Sequence, residues 1–370
     1  MLGLSNAMTS GSHHEQQYSL EFDGINDYLE TFADGTLASK TYSFWMKASV
    51  TGENGGVFGH GGVAIGAFHI NPDFSASNAS KPLIYLDSHY WQYFDDTSAQ
   101  DDGNWHHWAV YIKHDDLANS EVWVDGVALN TSTSNLTAGA VGANAYGKLK
   151  IGTDGDTKYF AGKIDEFAVF NGDLETDEVV AIYNNGKPFD LNYNRGNYVN
   201  SSDLEGYWRM FNGPFDDKQN GAVHDAHNPG FATGNVLEGG TWVNATGGWS
   251  TTTGGIVNSG TNGNFRVQGW GSTSNLNTIY QLSYTLSNVT DSDSLAGKFG
   301  SDSGGSQSIP GTAGYHTVYL KNTDSSVDNF QFISTHDWAG TITNISLRRL
   351  NGYPGRTSAD ATFSTDTPDD

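Results

Sequence analysis

The chain has 370 residues, a formal charge of −24 and no cysteine. That length suits about two domains; the acid surplus argues against a nucleic-acid partner, and the lack of cysteine excludes a disulfide framework. No segment approaches the ~20 consecutive apolar residues of a membrane helix, so no membrane partner is expected.

With 46 glycines, 8 prolines and abundant Ser, Thr and Asn, the composition favours many short strands and turns. Residues 1–17 read as a polar N-terminal arm, which a partner surface would have to order. Met1 to Met8 lacks the basic and apolar regions of a secretory signal. Over 18–190, period-two alternation between Gly, Asp and Asn turns predicts strands at 18–22, 28–32, 42–48, 56–59, 63–70, 82–87, 89–94, 106–113, 120–124, 148–152 and 162–170. Asp125-Gly126 is a primed hairpin turn. The pattern predicts two antiparallel sheets packed face to face.

The strand at 162–170 reads as a clean alternation, with Ile164, Glu166, Ala168 and Phe170 on one side and Asp165, Phe167 and Val169 on the other. Acidic residues inside such a strand are costly unless paired, hydrogen-bonded or bound to an ion. Asn171-Gly172 ends it, and Leu174 to Asn184 follows as a short helix closed by Asn185-Gly186 and Pro188. Residues 191–230 are a connector whose block Leu204 to Met210 predicts a strand that returns to, or caps, the first sandwich. Residues 231–350 read as a second all-β domain, and 351–370 as an acidic C-terminal tail, solvated by default unless a neighbour holds it. The expected fold class is therefore all-β: two antiparallel sandwiches and one short helix.

Five blocks in order resemble the laminin-G-like, concanavalin A-like jelly-roll family. They are Leu20 to Leu29 (LEFDGINDYL), Tyr42 to Lys47 (YSFWMK), Asn104 to Val110 (NWHHWAV) with Val122 to Gly126 (VWVDG), Leu149 to Gly152 (LKIG), and the closing Gly162 to Phe170 with its helix. The long aromatic middle, 53–100, departs from the family's shorter hairpins. The resemblance implies a structural calcium between the opening Phe22-Asp23-Gly24 turn and the closing acids, with Asp23, Asp27, Asp165 and Glu166 as ligands. The alternative is that Asp23 caps its own turn and Asp165 accepts backbone N–H groups. Gly206-Tyr207-Trp208-Arg209-Met210 resembles a segment that follows this domain in phage virion proteins, and 231–350 is similar to galactose-binding-like jelly rolls of carbohydrate-binding modules.

Trp91 and Tyr93 share one face of a strand and are the candidates for stacking on a glycan, core burial being the competing fate. Trp270 and Trp338 carry the same two readings in the second domain. His106 and His107 point to opposite faces, which disfavours a shared zinc, and Asp154-Gly155-Asp156 reads as a hairpin turn. Nucleophile-elbow, phosphate-loop and HExxH motifs are missing, so no enzyme is expected. The resemblance implies a virion structural protein of a tailed phage, on tail, fibre or capsid surface, with adhesion to a host glycan. Other virion proteins would be its partners, and it would form a homo-oligomer, a trimer or larger. The alternatives are a bacterial carbohydrate-binding protein or adhesin, extracellular or at the cell surface, and, less favoured, a glycoside hydrolase.

Overall fold

The computed structural model describes residues 17–31, 38–49, 55–61, 65–70, 81–87, 90–97, 99, 101–136, 147–155, 157–210, 222–223, 237, 241–268, 279–290, 295–300, 305–322, 329–334, 338–350, 355–358 and 361–368. In chain order, β1 (Ser19–Asp23), β2 (Leu29–Thr31), β3 (Lys40–Ala48), β4 (Gly55–His60), β5 (Ile65–Ile70), β6 (Leu83–Asp87), β7 (Tyr90–Phe94), β8 (His106–Ile112), β9 (Glu121–Val124), β10 (Val127–Ala128), β11 (Thr131–Asn135), β12 (Leu149–Ile151) and β13 (Ala161–Asn171) lead into α1 (Thr176–Tyr183), β14 (Leu204–Trp208) and β15 (Ala222–Val223). The second half holds β16 (Thr241–Thr246), β17 (Trp249–Thr252), β18 (Gly255–Ser259), β19 (Gly263–Gln268), β20 (Ile279–Ser287), β21 (Leu295–Phe299), β22 (Gln307–Ser308), β23 (Gly314–Lys321), β24 (Asn329–Ser334), β25 (Ala339–Arg349), β26 (Gly355–Thr357) and β27 (Thr362–Ser364).

The first sandwich faces an eight-stranded sheet, β10-β9-β8-β3-β13-β1-β27 with β14 beside β13, against a nine-stranded sheet, β11-β7-β6-β5-β4-β12-β2-β26-β15. Leu20, Phe44, Phe58, Phe68, Trp108 and Phe167 fill the space between them. A second apolar layer lies on the other face of the eight-stranded sheet. There Ala109, Trp123, Ala168 and Phe170 meet Leu174, Val179 and Ile182 beside and within α1, and Phe189, Leu191 and Tyr198 of the connector. Glu175 and Glu178 cap α1 reciprocally, and Asn184 ends it in the left-handed conformation (φ 48°). The returning strand expected at 204–210 is β14, which extends the sheet along the second half of β13 while β1 pairs with the first half.

The clean alternation expected in β13 does not hold. Glu166 has φ 50°, and the register against β3 shifts between Asp165 and Ala168. This bulge moves every following side chain to the other face. Ile164 therefore shares the inter-sheet core with Phe167 and Val169, while Ala168 and Phe170 face the helix. The Asp125-Gly126 turn is as expected, with φ of 50° and 78° between paired β9 and β10.

The acidic C-terminal segment expected in solvent lies along the first sandwich instead. β26 pairs with β2 and β27 with β1, which occupies two strand edges whose N–H and C=O groups would otherwise be unpaired. β26 also pairs with β15, Ala222 opposite Arg356 and Val223 opposite Gly355. The second sandwich is thus inserted between two neighbouring strands of the first rather than appended after it. It packs β16-β19-β24-β21-β22 on β17-β18-β25-β20-β23 around Phe265, Leu282, Phe332 and Ile342.

Candidate functional site

One sheet of the first sandwich is covered by α1 and the connector; on the outward face of the other, His69, Leu83 and Tyr93 are buried, and the half-buried Trp91 and Tyr85 are the candidate binding surface. In β7, Phe94 points into the inter-sheet core, as do Ile84 and Leu86 in β6 and Phe68 in β5. Alternation then puts Trp91 and Tyr93 on the outward side. Tyr85 sits opposite Trp91 and Leu83 opposite Tyr93 across the β6–β7 pair, and β11 places Asn135 and Thr133 on the far side of the same two residues. The Trp91 and Tyr93 rings are 5.2 Å apart, edge to face at 70°. Trp91 and Tyr85 are half-buried, whereas Tyr93 is only 5% exposed. Burial, and then neighbouring Tyr85, raise the Tyr93 phenol above its ordinary pKa. His69, fully buried, extends this row beyond Tyr85, their rings 6.2 Å apart. Tyr85 was legible in the sequence: Leu83 and Tyr85 repeat the spacing of Trp91 and Tyr93 across a short connection.

The four acids expected to share calcium are not brought together. Asp23 lies opposite Ala161 on β13. Asp165 is four residues further along, roughly 13 Å at strand rise. Asp23 Oδ1 accepts the Ile25 N–H at 2.7 Å, and Asp27 Oδ2 accepts the Asp23 N–H at 3.1 Å, so both stabilise their own turn. Asp165 Oδ1 accepts the Glu166 N–H at 2.8 Å. Glu166, 3% exposed, accepts from Arg209 Nε at 3.2 Å and from the Tyr207 hydroxyl. The set therefore does not fit one calcium ion, which needs six to eight converging oxygens. Among the described residues no three acidic or histidine side chains group as metal ligands.

The remaining sequence candidates resolve individually. Trp338 is fully buried, stacks on Trp249 at 5.7 Å and donates to the Gly311 carbonyl, so it is core; Trp270 lies outside the described residues. Asp154 forms a turn, accepting from the Thr157 and Lys158 N–H groups at 3.0 Å each; Asp156 lies outside the described residues. His106 and His107 diverge as expected. His107 is buried against Ser43 Oγ at 2.9 Å, and His106 stands between Asp125 (2.7 Å) and Asp102 (3.1 Å). The sequence reading missed this acid–histidine–acid arrangement, in which two aspartates 23 positions apart close on one strand residue.

Residues 23–180 match the model of the concanavalin A-like lectin/glucanases superfamily. No curated protein matches the sequence. Among solved structures, a Bacteroides ovatus protein provisionally described as carbohydrate-binding is similar at 15% identity and TM-score 0.42, over 57% of this chain and 56% of that one. A heptameric SAP-like pentraxin of Limulus polyphemus is similar at 15% identity and TM-score 0.36, over 50% and 88%. Tailspike protein 2 of the Escherichia coli O157:H7 bacteriophage CAB120 is similar at 14% identity and TM-score 0.32, over 54% and 31%. This chain thus spans little more than half of the Bacteroides protein and under a third of the tailspike. The five sequence blocks, the paired sheets and the matched model agree over the first sandwich: residues 23–180 match the concanavalin A-like lectin/glucanases superfamily and carry its all-β sandwich fold.

Proposed function

We propose that the chain is a non-catalytic attachment protein that binds glycans through the outward face of its nine-stranded sheet. The observation that carries this is the pairing of Trp91 with Tyr85 across β6 and β7, on the side away from the core. Half-buried rings held on a rigid sheet offer an apolar platform to a sugar, while the adjoining Asn135 and Thr133 supply polar groups at its rim. An array of glycans probed with the full chain tests it. Saturable binding that Trp91→Ala abolishes, with the melting temperature kept within a few degrees, is the expected result; binding indifferent to that substitution overturns the reading.

We further propose that the protein works in a tailed-phage virion, on tail, fibre or capsid surface, as a trimer or larger assembly beside other virion proteins. The Gly206 to Met210 block and the acid surplus support this. A bacterial adhesin at the cell surface would use the same sheet face. Mass spectrometry of purified particles separates the two, and a strictly monomeric chain at high concentration would count against the virion assembly.

A further inference from the structure

A strand at the end of a sheet offers its outer N–H and C=O groups to any other strand, and proteins guard such edges by brevity, bulges, prolines or charge. Among the described residues most sheet ends here are guarded. β10, β15 and β22 have two residues each, β27 three and β17 four. β11 and β16 are broken by register shifts against their neighbours. β23 is the exception: its eight residues, GYHTVYLK, pair with β20 in unbroken register and include neither proline nor acid.

Hydrogen bonds at the far end of β23 show which of its groups face outward. The Ile279 carbonyl accepts the Leu350 N–H at 2.9 Å, so the backbone of Ile279 faces the β25 side. Lys321 lies opposite Ile279, and its own backbone groups therefore face away from β20. There Gln307 Oε1 accepts the Lys321 N–H at 2.9 Å and Nε2 donates to the Lys321 carbonyl at 2.8 Å, which caps that end. Period two turns the backbone of Thr317 and Tyr315 the same way, with no described strand beside them. Thr317 is exposed and Tyr315 is 68% exposed. Lys321, the lysine that could guard this edge, is held by Glu30 of the first sandwich at 2.8 Å. The five strands of this sheet hold none of the chain's 42 acidic residues, whereas the first sandwich has Glu21, Glu30, Asp87 and Glu121 on its strands. Two chains of net charge −24 approach most closely where neither presents acid.

We propose that β23 is a self-association edge, to which β23 of a second copy adds antiparallel, so that the two sheets run on as one across a twofold axis. With the axis at His316, Tyr315 lies opposite Thr317 of the second copy, and each such pair exchanges both of its backbone hydrogen bonds. Each Tyr315 ring then stands beside Thr317 of the other copy, an aromatic and β-branched cross-strand pair. The contact is isologous, the same patch on both chains. It is independent of the glycan reading and adds a twofold contact to the assembly proposed above, turning a trimer into a hexamer.

The test is sedimentation equilibrium of the full chain over a concentration series. Thr317→Pro deletes an N–H that faces the edge and leaves the ladder to β20 intact; Thr317→Lys installs the charge that guarded edges carry. Melting curves report that both variants are folded. The expected result is an even-numbered parent assembly whose twofold dissociation constant rises at least about tenfold in each variant. The chain has no cysteine, so oxidised His316→Cys should give a covalent dimer, since facing residues of this kind stand about 4.5 Å apart at Cα. Thr251→Cys, on β17, should stay single. A trimer that neither Thr317 variant changes overturns the edge and leaves the assembly reading standing. A dimer that both variants dissolve upholds the edge and removes the trimer. A monomeric parent, or no covalent dimer from His316→Cys, overturns the edge.

Discussion

Asp366 Oδ2 lies 2.7 Å from Lys163 Nζ, an ion pair that spans 203 sequence positions. Lys47 Nζ reaches the same oxygen at 2.8 Å and the Trp105 indole donates to Oδ1 at 2.7 Å, while the Asp366 carbonyl accepts the Ser19 hydroxyl. Partial burial alone would raise this carboxyl's pKa; the bonds from Lys163, Lys47 and Trp105 outweigh it and hold the group down at about 2. Asp366→Asn should cost about 2 kcal/mol of stability, the scale of hydrogen bonds to a charged group. The folded pKa is depressed, so the stabilisation is present above the unfolded value and lost as pH falls through about 2. Urea melts between pH 4 and pH 2 check this, since the Asn variant should show a flatter acid limb.

Glu166 and Arg209 predict a larger effect. Arg209→Met would strand a carboxylate that is 3% exposed, leaving it the Tyr207 hydroxyl but not the cation. Losing one partner of a buried pair costs roughly 3–5 kcal/mol. Adding Glu166→Gln to that variant should recover part of the loss. A double-mutant cycle in urea measures the coupling, and strict additivity would contradict it.

Three buried histidines predict acid lability. His60, His69 and His107 are each lowered to about 4, chiefly by burial, which penalises the charged ring. Below the ordinary histidine value of about 6.5 the unfolded chain takes up protons that the folded chain refuses. Stability should therefore fall steadily from pH 6.5 to 4, before Asp366 begins to titrate. His107→Gln should shallow that slope in a melting-temperature-against-pH series.

His106 behaves in the opposite sense. The bond to Asp125 raises its pKa first, then burial opposes, and the charges of Asp125 and Asp102 raise it further. A raised base stabilises fully below the unfolded value, and the contribution is lost as pH rises through the folded one. The His106 ring proton shifts should titrate above 6.5 in NMR, and His106→Gln should remove a loss of under about 1 kcal/mol on the alkaline side.

Much of the first sandwich was legible because its strands obey period two and its turns carry Gly, Asp and Asn. Trp91 and Tyr93 share one face of β7 for that reason. What was hidden depended on residues far apart in the chain. The bulge at Glu166 shows itself only when β13 is set against β3, and no local pattern marks it. The acidic segment around Asp366 has the composition of a solvated tail, and its place is set by partners far away in the chain: Lys47, Lys163, Trp105 and the strand β1. Calcium was implied by the resemblance of the opening and closing blocks to their family, yet strand register separates Asp23 from Asp165.

The paired strands β15 and β26 bind the inserted sandwich to its host by two covalent crossings at one point. A protease that nicks one crossing leaves the halves linked by the other. A pull on the inserted body loads both cords together, and β26 passes the strain lengthwise into its neighbour β2. A body hung this way resists twisting and tearing better than one on a single string.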